Sequence, residues 1–117
     1  MTLPKPGKPV RGSRTGRPIM ALLDLLGRRM ALRILWELSR VDAPLTFRAL
    51  QGAADTNPAL LNTRLKELRA TRLVIHGDDG YSLSKDGRAL LRRLLPLHHW
   101  ADRWAAGSKK SPRVVGG

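Results

Sequence analysis

Residues 57–69, NPALLNTRLKELR, pair a helix signal with a face that can do chemistry. Leu61, Leu65 and Leu68 recur at i, i+4 and i+7, which puts them on one side of a helix. Ala59, Asn62, Thr63 and Lys66 fall on the other side, with Asn57 at the helix start. An amide, a hydroxyl, a methyl and an ammonium group can meet base edges in a major groove. None is bulky enough to hold the backbone away. The competing reading of the same pattern is a solvated helix face. Asn57 is a preferred N-cap, and Pro58 suits the first helical position, where its missing N–H costs nothing.

A second set of residues could grip phosphates. Arg28, Arg29, Arg48, Arg69, Arg72 and Lys85, together with the hydroxyl of Thr46, lie near helix starts or beside the candidate reading helix. Arg64 falls between the two faces of that helix. It serves either a phosphate or an intramolecular ion pair with Glu67 or Glu37, and the ion pair is the preferred reading. Catalytic and metal chemistry find little footing. His98, His99 and Asp102 share a helical segment but make an incomplete ligand set. No nucleophile motif or Gly-rich phosphate loop is present. No enzyme activity, cofactor or metal is expected.

Charge favours a polyanionic partner. Of 22 Lys and Arg and 9 Asp and Glu, residues 1–17 hold five cations and no acid, and 107–117 hold three cations and no acid. The intervening 18–106 still carry a net +5, and the whole chain +13. No apolar run of about 18 residues exists to span a bilayer. The first residues carry Pro and Gly where a secretory signal needs an apolar stretch, so a cytoplasmic protein is expected. Cysteine is absent, which excludes disulfides, thiolate metal sites and thiol sensing.

The elements that must position these groups follow from pattern and punctuation. Residues 1–17 read as a flexible basic arm. Pro18 opens a helix with Ile19, Leu22, Leu23 and Leu26 in helical spacing, ending near Gly27. A second helix runs to about Arg40 with Ala31, Ile34, Leu35 and Leu38 inward. Thr46 caps a short third helix, Phe47 to about Ala53, with Phe47 and Leu50 inward. A turn over 52–56 leads into the helix at 57. Helix, short turn and N-capped helix is the helix-turn-helix pattern. Residues 73–76, LVIH, then Gly77-Asp78-Asp79-Gly80 and Tyr81-Ser82-Leu83 predict a small β-hairpin. Ser84 caps a last helix from Lys85 to about Ala106. Leu90, Leu94, Leu97, Ala101 and Trp104 are spaced 4, 3, 4, 3 along it, a seam for packing on another helix. Leu91, Leu95 and Trp100 widen that seam. Pro96 is expected to kink the helix and Gly107 to end it, with 107–117 a disordered basic tail.

At this point the residues resemble the HxlR-type winged helix-turn-helix transcriptional regulators. The likeness is carried by LLDLLGRRMALRILWEL (22–38), LTFRAL (45–50), LNTRLKELRATRLV (61–74) and YSLSKDGRALLRRLLPLHHWADRW (81–104). It implies a mainly α fold with a β-hairpin wing. It also implies a homodimer formed by the first and last helices on a pseudo-palindromic operator. The chain departs from the family at Met30, where Trp is usual, and at Arg72, where Gly is usual. Its wing is shorter and tipped by two carboxylates, Asp78 and Asp79, which phosphates would repel. Many members sense oxidants through a cysteine near the first helix, and that mode is closed to this chain.

The expected function is a sequence-specific regulator of double-stranded DNA. Its dimer interface is expected to involve Ile19, Leu22, Leu26, Leu90, Leu94, Leu97, Trp100, Ala101 and Trp104. The basic arm can supply the minor-groove contact that an acidic wing cannot. An effector, if the protein takes one, is expected to be an apolar small molecule held without covalent chemistry near Met30, Trp36 or Trp100. The rival reading is an architectural or protein-interaction module with general nucleic-acid affinity.

Overall fold

The computed structural model describes residues 16–110. The helices are α1 (Pro18–Leu26), α2 (Ala31–Ser39), α3 (Phe47–Ala54), α4 (Pro58–Ala70) and α5 (Lys85–Lys110). The strands are β1 (Val74–Gly77) and β2 (Gly80–Leu83). The basic arm expected over residues 1–17 lies, apart from Gly16 and Arg17, outside the described residues, as do residues 111–117 of the basic tail.

Local chemistry accounts for most boundaries. Thr46 caps α3 by accepting from Ala49 N at 3.1 Å, and Asn57 caps α4 by accepting from Leu60 N at 2.8 Å. Each satisfies a backbone donor that the first helical turn leaves without a partner. Asp55 ends α3 at φ 53°, a left-handed conformation that a short Asx side chain tolerates. Ser84 caps α5 by accepting from Gly87 N at 2.9 Å.

The core is built where the leucine periodicity places it. Ile34, Leu35 and Leu38 of α2, Leu50 of α3, and Leu61, Leu65 and Leu68 of α4 are buried together with Val74, Tyr81 and Leu83 of the hairpin. β1 and β2 pair antiparallel, from Val74 opposite Leu83 to Gly77 opposite Gly80. One further bridge joins Leu45, ahead of α3, to Tyr81 through backbone bonds of 2.9 and 2.7 Å. Gly80 makes that approach workable. Its φ is 131°, and a Cβ there would collide with the Leu45 carbonyl.

Three expectations are corrected. The last helix does not stop at Gly107 but continues to Lys110, since a single helical glycine costs only about 1 kcal/mol. Leu26, expected at a dimer interface, is buried in this chain's own core, with Ala21 and Leu25, while Ile19 and Leu23 face outward. The heptad seam of α5 is divided. Leu90 and Leu94 pack on the protein's own core, as does Leu22 of α1, whereas Leu97, Trp100 and Trp104 are exposed. The helix passes through Pro96, which is exposed.

Candidate nucleic-acid interface

α4 presents two chemically distinct faces. Leu61, Leu65, Glu67 and Leu68 are buried, whereas Asn57, Ala59, Asn62, Thr63 and Lys66 are all exposed. At about 100° per residue Ala59, Asn62, Thr63 and Lys66 share one side of α4, and Asn57 is exposed at its start. Two have part of their hydrogen-bonding capacity committed. The Asn57 carbonyl oxygen is engaged in the cap, which leaves its NH₂ group to donate outward. The Thr63 hydroxyl donates to the Ala59 carbonyl at 3.1 Å, so toward a duplex it acts as an acceptor and presents its methyl. Asn62 and Lys66 reach solvent with their full donor sets.

Arg69 lies on α4 and Arg72 just past its end, Arg29 is in the α1–α2 turn that Arg64 of α4 reaches, Arg48 is on α3, and Lys85 opens α5. Arg29, Arg48, Arg69, Arg72 and Lys85 are exposed, as is Thr46, whose hydroxyl keeps its proton for a phosphate while it caps α3. Lys66 and Arg69 line a shallow concavity between α4 and β1 with Ile75 and His76. His76 carries no local sequence pattern that marks it. It stacks flat on Tyr81 across the hairpin, ring centroids 3.9 Å apart and 2° from parallel. A register that sets His76 opposite Tyr81 is the signal that could have found it.

Arg28 departs from expectation. It turns inward, donating to Glu67 Oε2 at 2.8 Å and to Asp24 Oδ2 at 3.2 Å, and its side chain is 12% exposed. Arg64 pairs with Glu67 Oε1 at 3.2 Å, the intramolecular reading preferred for it. Glu37 belongs to a separate pair with Arg33, at 2.9 Å.

The hairpin tip carries Asp78 and Asp79, both exposed, so the short wing has an acidic end. An apolar groove of about 390 Å³ opens between α2 and α5. It is lined by Leu32, Trp36, Leu91, Leu94, Leu95 and Leu97, with Arg33, His98 and Ala101 at its margin. Of the residues expected around an effector, Trp36 lines this groove. Met30 packs against the core and Trp100 stacks on Trp104, so neither lines it. His98 lies 5.3 Å from Trp36 between ring centroids and 3.5 Å from Asp102. Among the described residues no group of three His, Cys, Asp or Glu is placed to hold a metal. No helix among them is long and apolar enough to cross a membrane.

No protein-family model matches the chain, and no curated protein matches it by sequence. Among solved structures it is similar to the quinone-bound YodB from B. subtilis, a winged-helix transcription regulator. The two are 28% identical and superpose with a TM-score of 0.67, covering 73% of this chain and 96% of YodB. The fold is a winged helix-turn-helix with a long C-terminal helix, and the likeness supports a role as a transcription regulator.

Proposed function

We propose that this protein is a sequence-specific DNA-binding regulator of the HxlR type, acting as a homodimer on a pseudo-palindromic operator. The observation that carries the reading is the N-capped, exposed face of α4. Asn62, Thr63 and Lys66 point away from a leucine-packed underside there, and Arg29, Arg48, Arg69, Arg72 and Lys85 are exposed and available to grip phosphates. Base-edge contacts supply sequence discrimination, and the cations set register on the backbone. The unit that binds and pairs is residues 18–106, flanked by basic segments.

Pairing is supported by apolar side chains that the fold leaves uncovered. Ile19 and Leu23 of α1 and Leu97, Trp100 and Trp104 of α5 are each more than half exposed. The rival reading, an interaction module with general affinity for nucleic acid, draws on that same surface. Selection of bound duplexes from a random pool, at stated salt, separates the two. A defined palindromic consensus bound by a dimer supports the regulator. Equal binding of all duplexes by a monomer supports the module.

The α2–α5 groove is the effector site of this reading. Its volume is within the range of small-molecule pockets, and its walls are apolar. YodB was solved with a quinone bound. In this chain, without cysteine, a flat apolar molecule is held by contact alone. Quenching of Trp36 fluorescence by a naphthoquinone or a similar aromatic, abolished by Leu95→Arg at an exposed residue of the groove wall, tests the assignment.

A further inference from the structure

Glu67 is a buried carboxylate on the helix proposed to read bases, and both its oxygens are engaged. Oε2 accepts from Arg28 Nη1 at 2.8 Å and Oε1 from Arg64 Nη1 at 3.2 Å. Arg28 carries the network on to Asp24 of α1 at 3.2 Å. Arg64 closes it from the other side, its Nε donating to the Arg29 carbonyl at 2.7 Å. The side chains of Arg28, Glu67 and Arg64 are 12, 5 and 14% exposed.

Three charges so little hydrated are a costly way to fill space. Apolar side chains of similar volume commonly give equal or greater stability. What the charges add is direction. A guanidinium donates in a planar fork, so each arginine constrains both the distance and the orientation of the groups it joins. Arg64 and Glu67 are three residues apart, so they lie together on α4. Both reach the turn between α1 and α2: Arg64 through the Arg29 carbonyl, and Glu67 through the Arg28 side chain. The leucine underside of α4 holds the helix against the core by non-directional packing. The polar links on its flank resist rotation about the helix axis.

We propose that Arg28 and Glu67 are positioning residues for base reading. The Asp24–Arg28–Glu67–Arg64 network sets the rotation of α4 about its own axis, and with it which edges Asn62, Thr63 and Lys66 meet. The proposal rests on the assignment of α4 as the reading helix. It makes Arg28, in contrast to its neighbour Arg29, a residue that acts on specificity without touching phosphate.

The test compares Arg28→Met, Arg28→Lys and Arg29→Met on the selected duplex and on a scrambled one across a salt series. Arg28→Met leaves Glu67 its Arg64 partner, and thermal unfolding checks that the fold is retained. Arg28→Met is expected to keep the salt slope and to narrow the ratio of selected to scrambled affinity about tenfold, the worth of one base contact. Arg28→Lys restores part of that ratio, because an ammonium still pairs with Glu67 without the fork. Arg29→Met is expected to lower the slope by about 0.9 on both duplexes and to keep the ratio. A salt slope that falls equally for Arg28→Met, with the ratio intact, overturns the proposal. A second measurement needs no DNA. Amide exchange in the free protein is expected to quicken in α4 of Arg28→Met relative to α2, and unchanged α4 exchange likewise overturns it. If the unmodified protein discriminates among no duplexes, the reading function fails, and the exchange result still decides whether the network holds α4.

Discussion

Arg72 holds its backbone at φ 65° while its carbonyl accepts a 2.6 Å hydrogen bond from the Ser84 hydroxyl. The two residues join the end of α4 to the start of α5 under the base of the hairpin. Arg72 N donates to Arg69 O at 3.0 Å and Leu73 N to Leu68 O at 2.9 Å, which closes α4 with a left-handed residue just past its end. Glycine adopts that conformation without steric penalty, and an arginine does not.

Arg72→Gly is therefore expected to raise stability by about 0.5–1 kcal/mol, the left-handed penalty less the added freedom of the unfolded chain. Under the proposed function it also removes an exposed cation, lowering the salt slope of DNA binding by about 0.9. Urea unfolding and a salt titration measure the two effects separately. A loss of stability would mean that the Arg72 side chain contributes more to the fold than its backbone strain removes.

Gly87 occupies the first turn of α5 directly beneath Leu73, and a Cβ there would fall on the Leu73 carbonyl oxygen. That carbonyl also accepts from Ser84 N at 3.0 Å, so it is not free to retreat. Gly87→Ala is expected to destabilise by about 1–3 kcal/mol, the usual range for forcing an extra group into a packed site. Gly52→Ala is the matched control, since nothing lies within 4 Å of its added Cβ. A helix-propensity gain of up to about 1 kcal/mol is expected there. Similar midpoints for the two variants in thermal unfolding would contradict the packing described for Leu73.

Periodicity and caps make much of this fold legible in the sequence. Ala31, Ile34, Leu35 and Leu38, and again Leu61, Leu65 and Leu68, are buried as their spacing requires. Thr46, Asn57 and Ser84 cap the helices that follow them, as their side chains suggest. These are local signals, carried within one or two turns. The inward turn of Arg28 is not local, because its partner Glu67 lies 39 residues away and only the fold brings them together. The α5 seam reaches further in pattern than in fact for a related reason. A 4-3-4-3 repeat says that a face is covered but not by which chain. Here Leu90 and Leu94 are covered internally, and Leu97 and Trp104 are not. The Leu45–Tyr81 bridge has no sequence signal, since it joins single residues through their backbones.

The exposed half of that seam carries the proposal of a dimer. Trp100 and Trp104 stack with ring centroids 5.9 Å apart, 10° from parallel, and Leu97 adjoins them on the helix. Leu97→Lys with Trp104→Lys is expected to yield a folded monomer, because neither side chain supports this chain's own core. Sedimentation of the unmodified protein as a monomer at micromolar concentration would remove the proposed interface. A Leu94→Lys variant provides the contrast: Leu94 packs on the core, so it should cost stability whether or not pairing occurs.

Reading and gripping can be separated on α4 itself. Asn62 and Thr63 are exposed on the face opposite Leu61 and Leu65, and neither is needed for the core. Asn62→Ala is expected to lose about 1–3 kcal/mol on the preferred duplex and little on a random one, because a base contact carries sequence information. Thr63 calls for two variants. Its hydroxyl already donates to Ala59, so it offers DNA only lone pairs and a methyl. Thr63→Val keeps the methyl and should retain binding where the contact is to a thymine methyl, whereas Thr63→Ala loses it in every case. Removing residues 1–15, which hold Lys5, Lys8, Arg11 and Arg14, should act differently. Binding weakens on both duplexes, and the salt slope falls by about 0.9 for each phosphate that the arm no longer neutralises. Any extra weakening confined to A·T-rich flanks would mark a minor-groove contact by the arm. Equal losses for Asn62→Ala on preferred and random duplexes would show that this face of α4 grips DNA without reading it.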